Sequence, residues 1–207
     1  MRWSRMALLA VAAFAVMACG LEPEADEATR AEPVDDLAAA APTCQPSPDM
    51  PLEGRVSPYD SANIAVGDGA ATICYGRPSL RGREMIGGEA VPYGKLWRTG
   101  ANEPTIVHLN VPARIAGLPV EPGSYSLYTI PQPGDEWTLI INRSTSQWGH
   151  ESRYTPEVSA QELGRAQVPA EAIEETVEQL TIRPAAERAG ALLEWQNTRV
   201  FISIEPR

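Results

Sequence analysis

The sequence predicts an all-β fold, an antiparallel β-sandwich of jelly-roll type, from three observations. Short alternating or β-branched runs recur from residue 55 onward, with Gly or Pro between nearly all of them. Proline (19) and glycine (16) are abundant in the 207 residues, which favours turns over long helices. No strand–helix–strand alternation of the kind that builds a parallel sheet is present. With 43% hydrophobic and 21% charged residues the chain can bury the core of one domain.

The expected strands are 61–66, 71–75, 104–111, 114–116, 124–130, 136–142, 162–168, 175–183, 191–196 and 199–204. Turn signals separate them: Gly67-Asp68-Gly69, Gly117-Leu118-Pro119, Glu121-Pro122-Gly123, Pro133-Gly134-Asp135 and Gln196-Asn197. In the last strand Val200, Ile202 and Ile204 alternate with Phe201 and Ser203, which puts one face on the core. Helical character is confined to 170–180, where Glu171, Glu174, Glu175 and Glu178 recur after Pro169, a residue suited to a first helical turn. Val177, Leu180 and Ile182 also fit a strand, so a short helical turn at most is expected there. The two sheets of the sandwich then span residues 55–207 as one domain.

Ahead of that domain, residues 1–19 read as a lipoprotein signal peptide. Arg2 and Arg5 precede an apolar run from Met6 to Met17, about 12 residues, where a membrane span needs roughly 20. The run ends in Val16-Met17-Ala18-Cys19-Gly20, which resembles the bacterial lipobox. Cys19 is the expected site of lipidation and the new N-terminus, its acyl chains (palmitate among them) serving as the membrane anchor. Gly20, where an Asp would signal inner-membrane retention, favours the outer membrane in a cell that has one. Residues 20–54 are rich in Ala, Pro and acidic residues and are expected to form a disordered tether, with a helical turn conceivable at 37–41.

The formal net charge of −10 argues against nucleic acid, whose binding needs a basic surface. Half of that charge lies in residues 1–50, so the folded part is only mildly acidic. No metal site and no cofactor are expected. His108 and His150 stand alone, and there is no HExxH, GxSxG, phosphate loop or paired CxxC. Beyond Cys19, two cysteines remain. Either Cys44 and Cys74 form a disulfide, closing a loop of about 30 residues and stabilising by up to roughly 3 kcal/mol, or Cys74 is a small buried residue and Cys44 is free.

Five strings carry a family resemblance. They are Tyr75-Gly76-Arg77-Pro78-Ser79-Leu80-Arg81-Gly82-Arg83, Val91-Pro92-Tyr93-Gly94-Lys95-Leu96-Trp97-Arg98-Thr99-Gly100-Ala101-Asn102-Glu103, Pro122-Gly123-Ser124-Tyr125-Ser126-Leu127-Tyr128-Thr129-Ile130-Pro131, Glu136-Trp137-Thr138 and Gln147-Trp148-Gly149. Together they resemble a bacterial secreted family catalogued as domain of unknown function 2911, over about residues 56–204. The resemblance implies a β-rich envelope protein and no particular activity. Members continue the Trp-Gly pair toward a Tyr-Asp pair, whereas here Thr155 and Pro156 follow Tyr154.

The candidate ligand-binding residues are Arg77, Arg81, Trp97, Arg98, Asn102, Glu103, His108, Tyr128 and Trp148. The loop 97–103 combines a guanidinium fork, an amide, a carboxylate and a stacking face, the mixture that polar ligands require. Its structural alternative is an Arg98–Glu103 pair pinning the loop, with Trp97 in the core. Arg77, Arg81 and Arg83 either hold an anion or compensate Glu84 and Glu89. Of the aromatics around 124–130, Tyr125 shares a face with Leu127, and Tyr128 shares the other with Ser126. The leading expectation is therefore a lipid-anchored envelope module that binds a polar small molecule or an envelope protein. The alternatives are an envelope hydrolase using the Arg98–His108 region and a purely structural interaction domain. No catalytic residue is assigned.

Overall fold

The computed structural model describes residues 43–48 and 52–207. The expected signal peptide, its Cys19 and most of the expected tether lie outside the described residues. The strands are β1 (Tyr59–Val66), β2 (Gly69–Gly76), β3 (Thr105–Leu109), β4 (Ala113–Ile115), β5 (Leu118–Val120), β6 (Gly123–Ile130), β7 (Glu136–Asn142), β8 (Glu162–Pro184) and β9 (Gly190–Pro206). A helical turn at Glu151–Arg153 and the four-residue helix α1 (Pro156–Ser159) join β7 to β8. Thr155 caps α1 by accepting from the Val158 N–H, and Pro156 opens it.

The all-β antiparallel expectation holds. The strands form one nine-stranded sheet in the order β1-β2-β3-β6-β7-β8-β9-β4-β5, where two stacked sheets were expected. The reason lies in β8 and β9, each of which the sequence reading divided in two. β8 pairs with β7 up to Pro169 and with β9 from Ala170 onward, so it carries the sheet from one set of neighbours to the next. Its register shifts between Ala172 and Val177 and between Val177 and Thr181, the kind of irregularity that lets a long strand bend.

The sheet therefore curls on itself. The Tyr75 hydroxyl accepts from the Ile182 N–H (2.8 Å) and donates to the Ile182 carbonyl (3.2 Å), tying β2 to β8 across the core. Ser79 also bridges to Gln179. Inward rows of Ile73, Val107, Leu127, Leu139, Ile141, Leu193 and Ile204 fill the interior, all at most 1% exposed.

Two local expectations are corrected. The short helical turn at 170–180 is strand throughout, because pairing with β9 outweighs the helix propensity of its glutamates. The turn expected at Gly117-Leu118-Pro119 falls one residue earlier: Ala116 (φ 48°) and Gly117 (φ 80°) make the two-residue loop of the β4–β5 hairpin. Leu118 and Pro119 are thereby freed to form β5.

Candidate functional site

The pleat decides which side chains of β1, β2, β3 and β6 face away from the core. Register places Asn63, Thr72, His108 and Ser124 in one cross-strand row. The next row holds Ser61, Cys74, Ile106, Ser126 and Asn142. The outer face is thus small and polar, while its neighbours Ile73, Val107 and Leu127 face inward. Within the first row the Thr72 hydroxyl donates to Asn63 Oδ1 (2.8 Å), and His108 Nδ1 lies 2.7 Å from Ser124 Oγ.

A strap crosses this face. Residues 43–48 make no strand ladder, and they are fastened by a Cys44–Cys74 disulfide (Cα–Cα 5.6 Å). The Ser47 N–H donates to Glu103 Oε1 (2.8 Å). Within the stretch expected to be a disordered tether, Cys44 and Ser47 are therefore joined to the domain.

At the Ser47 end of the strap lies a cavity of about 370 Å³ whose lining includes Ser47, Tyr59, Glu103, Ile106, Gln147 and Trp148. At its Thr43 end lies one of about 480 Å³ lined by Thr43, Gln45, Tyr59, Ile106, His108, Ser124 and Thr145. Gln45, Tyr59, Ile106 and Thr145 line both. The two are adjoining halves of one groove.

The charges at the groove neutralise one another. Arg55 grips Glu103 with both ends of its fork, Nη1 to Oε2 at 3.0 Å and Nη2 to Oε1 at 2.7 Å. Burial alone pushes the Glu103 carboxyl up, but Arg55 and the Ser47 N–H outweigh it and leave the group below its ordinary value. Burial, reinforced by the Glu103 charge, pushes Tyr59 up to about 12, so its hydroxyl stays a donor. Burial also lowers His108, which favours the neutral imidazole at pH 7.

The expected Arg98–Glu103 pair is not formed. Arg98 Nη1 donates to Glu151 Oε2 (3.1 Å) and toward the Gly149 carbonyl (3.4 Å), and its buried Nε has no partner among the described residues. The cause is the backbone. Thr99 (φ 58°) and Asn102 (φ 67°) both take left-handed conformations, so the loop turns twice and sends its two charges to different partners. Asn102 donates to the Ser57 carbonyl (3.4 Å).

The other expected residues divide. Trp97 is buried (3% exposed) among Trp137 and Trp195, as core. Tyr128 lies on the outer face but is buried, its hydroxyl accepting from Gln147 Nε2 (2.9 Å) and its ring edge-on to Tyr154. Arg77 lies away from the groove, paired with Asp60 and bonded to the Leu180 carbonyl and the Thr181 hydroxyl. Arg81 reaches the Val56 carbonyl, and Arg83 reaches the Leu80 and Ser79 carbonyls; neither is seen on Glu84 or Glu89. Only Glu103, His108 and Trp148 of the expected set line the groove. Ser47, Arg55, Tyr59 and Glu151 were missed. A tyrosine opening a strand is a signal for Tyr59; the others had none, because their partners are about fifty residues away.

The sequence strings meet in space through their glycines. A Cβ on Gly76 would sit 2.1 Å from the Ala101 carbonyl oxygen, and one on Gly149 would sit 2.2 Å from that of Asn102. The loop 97–103 is thus clasped between the end of β2 and the Trp148-Gly149 pair, which only glycine allows. The family model described as "Protein of unknown function (DUF2911)" matches residues 57–204, and the chain belongs to that family. No curated protein and no solved structure matches it.

Proposed function

We propose that this member of the family is a binding module for an uncharged polar ligand with ring faces, of the sugar class, held in the groove beside the strap. The observation that carries the reading is the lining itself. Trp148 and Tyr59 supply aromatic surface, while Gln45, Ser124, Thr145 and Ser146 supply uncharged polar groups. The formal charges nearby are committed, Glu103 to Arg55 and Arg98 to Glu151. Such a surface suits hydroxyl-rich rings better than an ionised ligand, which would need an uncommitted countercharge.

Titration of the mature chain with a panel of neutral mono- and oligosaccharides, read by calorimetry, tests the reading. Binding that Trp148→Ala weakens at least about tenfold is expected, a loss of about 1.4 kcal/mol; no binding by any member refutes it. The alternative of an envelope hydrolase has one observation in its favour, the 2.7 Å His108–Ser124 contact. Labelling of Ser124 by a serine-directed phosphonate would favour that alternative.

We propose lipidation at Cys19, which holds the domain on the cell envelope, at the outer membrane where there is one. Mass spectrometry of the membrane-extracted protein is expected to give a diacylated N-terminal peptide beginning at Cys19. A soluble mature chain starting elsewhere would rule this out.

A further inference from the structure

We propose that the strap, residues 43–48, is a thiol-releasable gate: breaking Cys44–Cys74 lets it lift and merges the two half-cavities into one continuous trough across the outer face. This regulates the groove of the ligand-binding reading and rests on that reading.

Three observations carry it. The strap walls both halves: Thr43 lines one, Ser47 lines the other, and Gln45 lines both together with the sheet residues Tyr59 and Ile106. Its attachment differs from that of every strand: it pairs with no neighbour in a ladder, and its covalent hold is one disulfide at the middle of the face it covers. A segment held this way opens at far lower free energy than the sheet under it once the cross-link is gone. The two cysteines also differ in access, Cys44 being half-buried on the strap and Cys74 fully buried in β2.

That asymmetry directs the chemistry. A dithiol reductant attacks through one thiolate at Cys44 Sγ. The Cys44–Cys74 bond breaks, and Cys74 leaves as a thiolate that takes up a proton. The reductant's second thiol then displaces Cys44 from the mixed disulfide, giving two cysteine thiols and an oxidised cyclic reductant. Two electrons and two protons pass to the protein.

With the strap lifted, Cys74 and Ile106 would join the exposed Ser61 in one row, flanked by Thr72, His108 and Ser124. A trough of that length takes an extended polar chain, an oligosaccharide rather than a single ring.

Collisional quenching by acrylamide on the mature chain reads the gate. Trp97, Trp137 and Trp195 are at most 3% exposed, so the quenchable tryptophan beside the strap is Trp148. On reduction by dithiothreitol, and in Cys44→Ser without reductant, the quenching constant is expected to rise at least about twofold while the thermal melt stays cooperative. Hydrogen exchange should rise in β3 and β6 and not in β7. Unchanged quenching and exchange, with both thiols shown free by mass, overturns the gate. Global unfolding on reduction also overturns it, because the bond is then a structural staple.

The saccharide panel, run in both redox states, separates the two ideas. Increased quenching with no binding in either state keeps the gate and removes the ligand reading. Equal binding in both states with unchanged quenching does the reverse.

Discussion

Replacing Glu103 with Gln is expected to lower the unfolding free energy by about 3–5 kcal/mol, because it leaves a buried guanidinium without its counter-ion. The Arg55 side chain is 2% exposed and that of Glu103 9%, and the two meet in a bidentate grip. A neutral amide offers one acceptor oxygen where the carboxylate offered two, and the Ser47 N–H competes for it. Chemical denaturation of the single variants and of an Arg55→Met, Glu103→Leu double variant measures the effect. The apolar pair is expected to recover much of the loss, since neither charge then remains to be desolvated. A loss below about 1 kcal/mol for Glu103→Gln would show that water reaches the pair.

The sign of the pH dependence follows from the same geometry. The native Glu103 carboxyl lies below its ordinary value of 4.5, so its contribution is fully present above that value. It is lost as pH falls through the lower native value, and the acid limb of the stability curve should be shallower in Glu103→Gln. A residual slope remains in the variant. Hydrogen bonds from Arg165 hold Glu162 below the ordinary range, and those from Arg183 do the same for Glu194.

What the sequence made legible is what local chemistry determines. β3, β6 and β7 were placed closely because their alternation sorts residues onto two faces: Val107 and Leu109 go in, and Ile106 and His108 go out. β8 was split because Glu171, Glu174 and Glu175 are solvated and carry helix propensity, and only the distant β9 makes that stretch a strand. Cysteine spacing left the disulfide open, since no rule of spacing brings residue 44 onto β2.

The candidate site was harder for the same reason. Loop 97–103 reads as polar and unusual from its composition, yet its partners Arg55 and Glu151 lie 48 and 53 residues away. Arg55 sits at the margin of an acidic stretch that composition assigns to the tether. The left-handed turns at Thr99 and Asn102, residues without the freedom of glycine, separated the two charges that nearness in sequence suggested were paired.

Trp97→Ala is the second large effect, an expected loss of about 3–5 kcal/mol. Trp97 stacks on Trp195 (centroids 5.7 Å apart, planes at 18°) and meets Trp137 edge-on at 6.3 Å. Its Nε1 donates to the Gly100 carbonyl (3.2 Å), and its backbone exchanges hydrogen bonds with Thr129 at the end of β6 (2.7 and 2.9 Å). One side chain therefore fills the core and also holds the start of the loop that ends in Glu103. Its removal leaves a cavity between two rings and an unpaired carbonyl, so the groove as well as the core should loosen. Trp195→Phe is the informative contrast. Trp195 is equally buried, but its Nε1 has no partner among the described residues, so the smaller ring removes an unsatisfied donor along with some volume. Its cost is expected to stay below about 1.5 kcal/mol. Denaturation of both variants, with near-ultraviolet circular dichroism to follow the coupled rings, sets the order. If Trp195→Phe were the costlier change, Trp97 would not be the anchor that joins the loop to the core, and the loop's geometry would have to come from the Gly76 and Gly149 contacts alone.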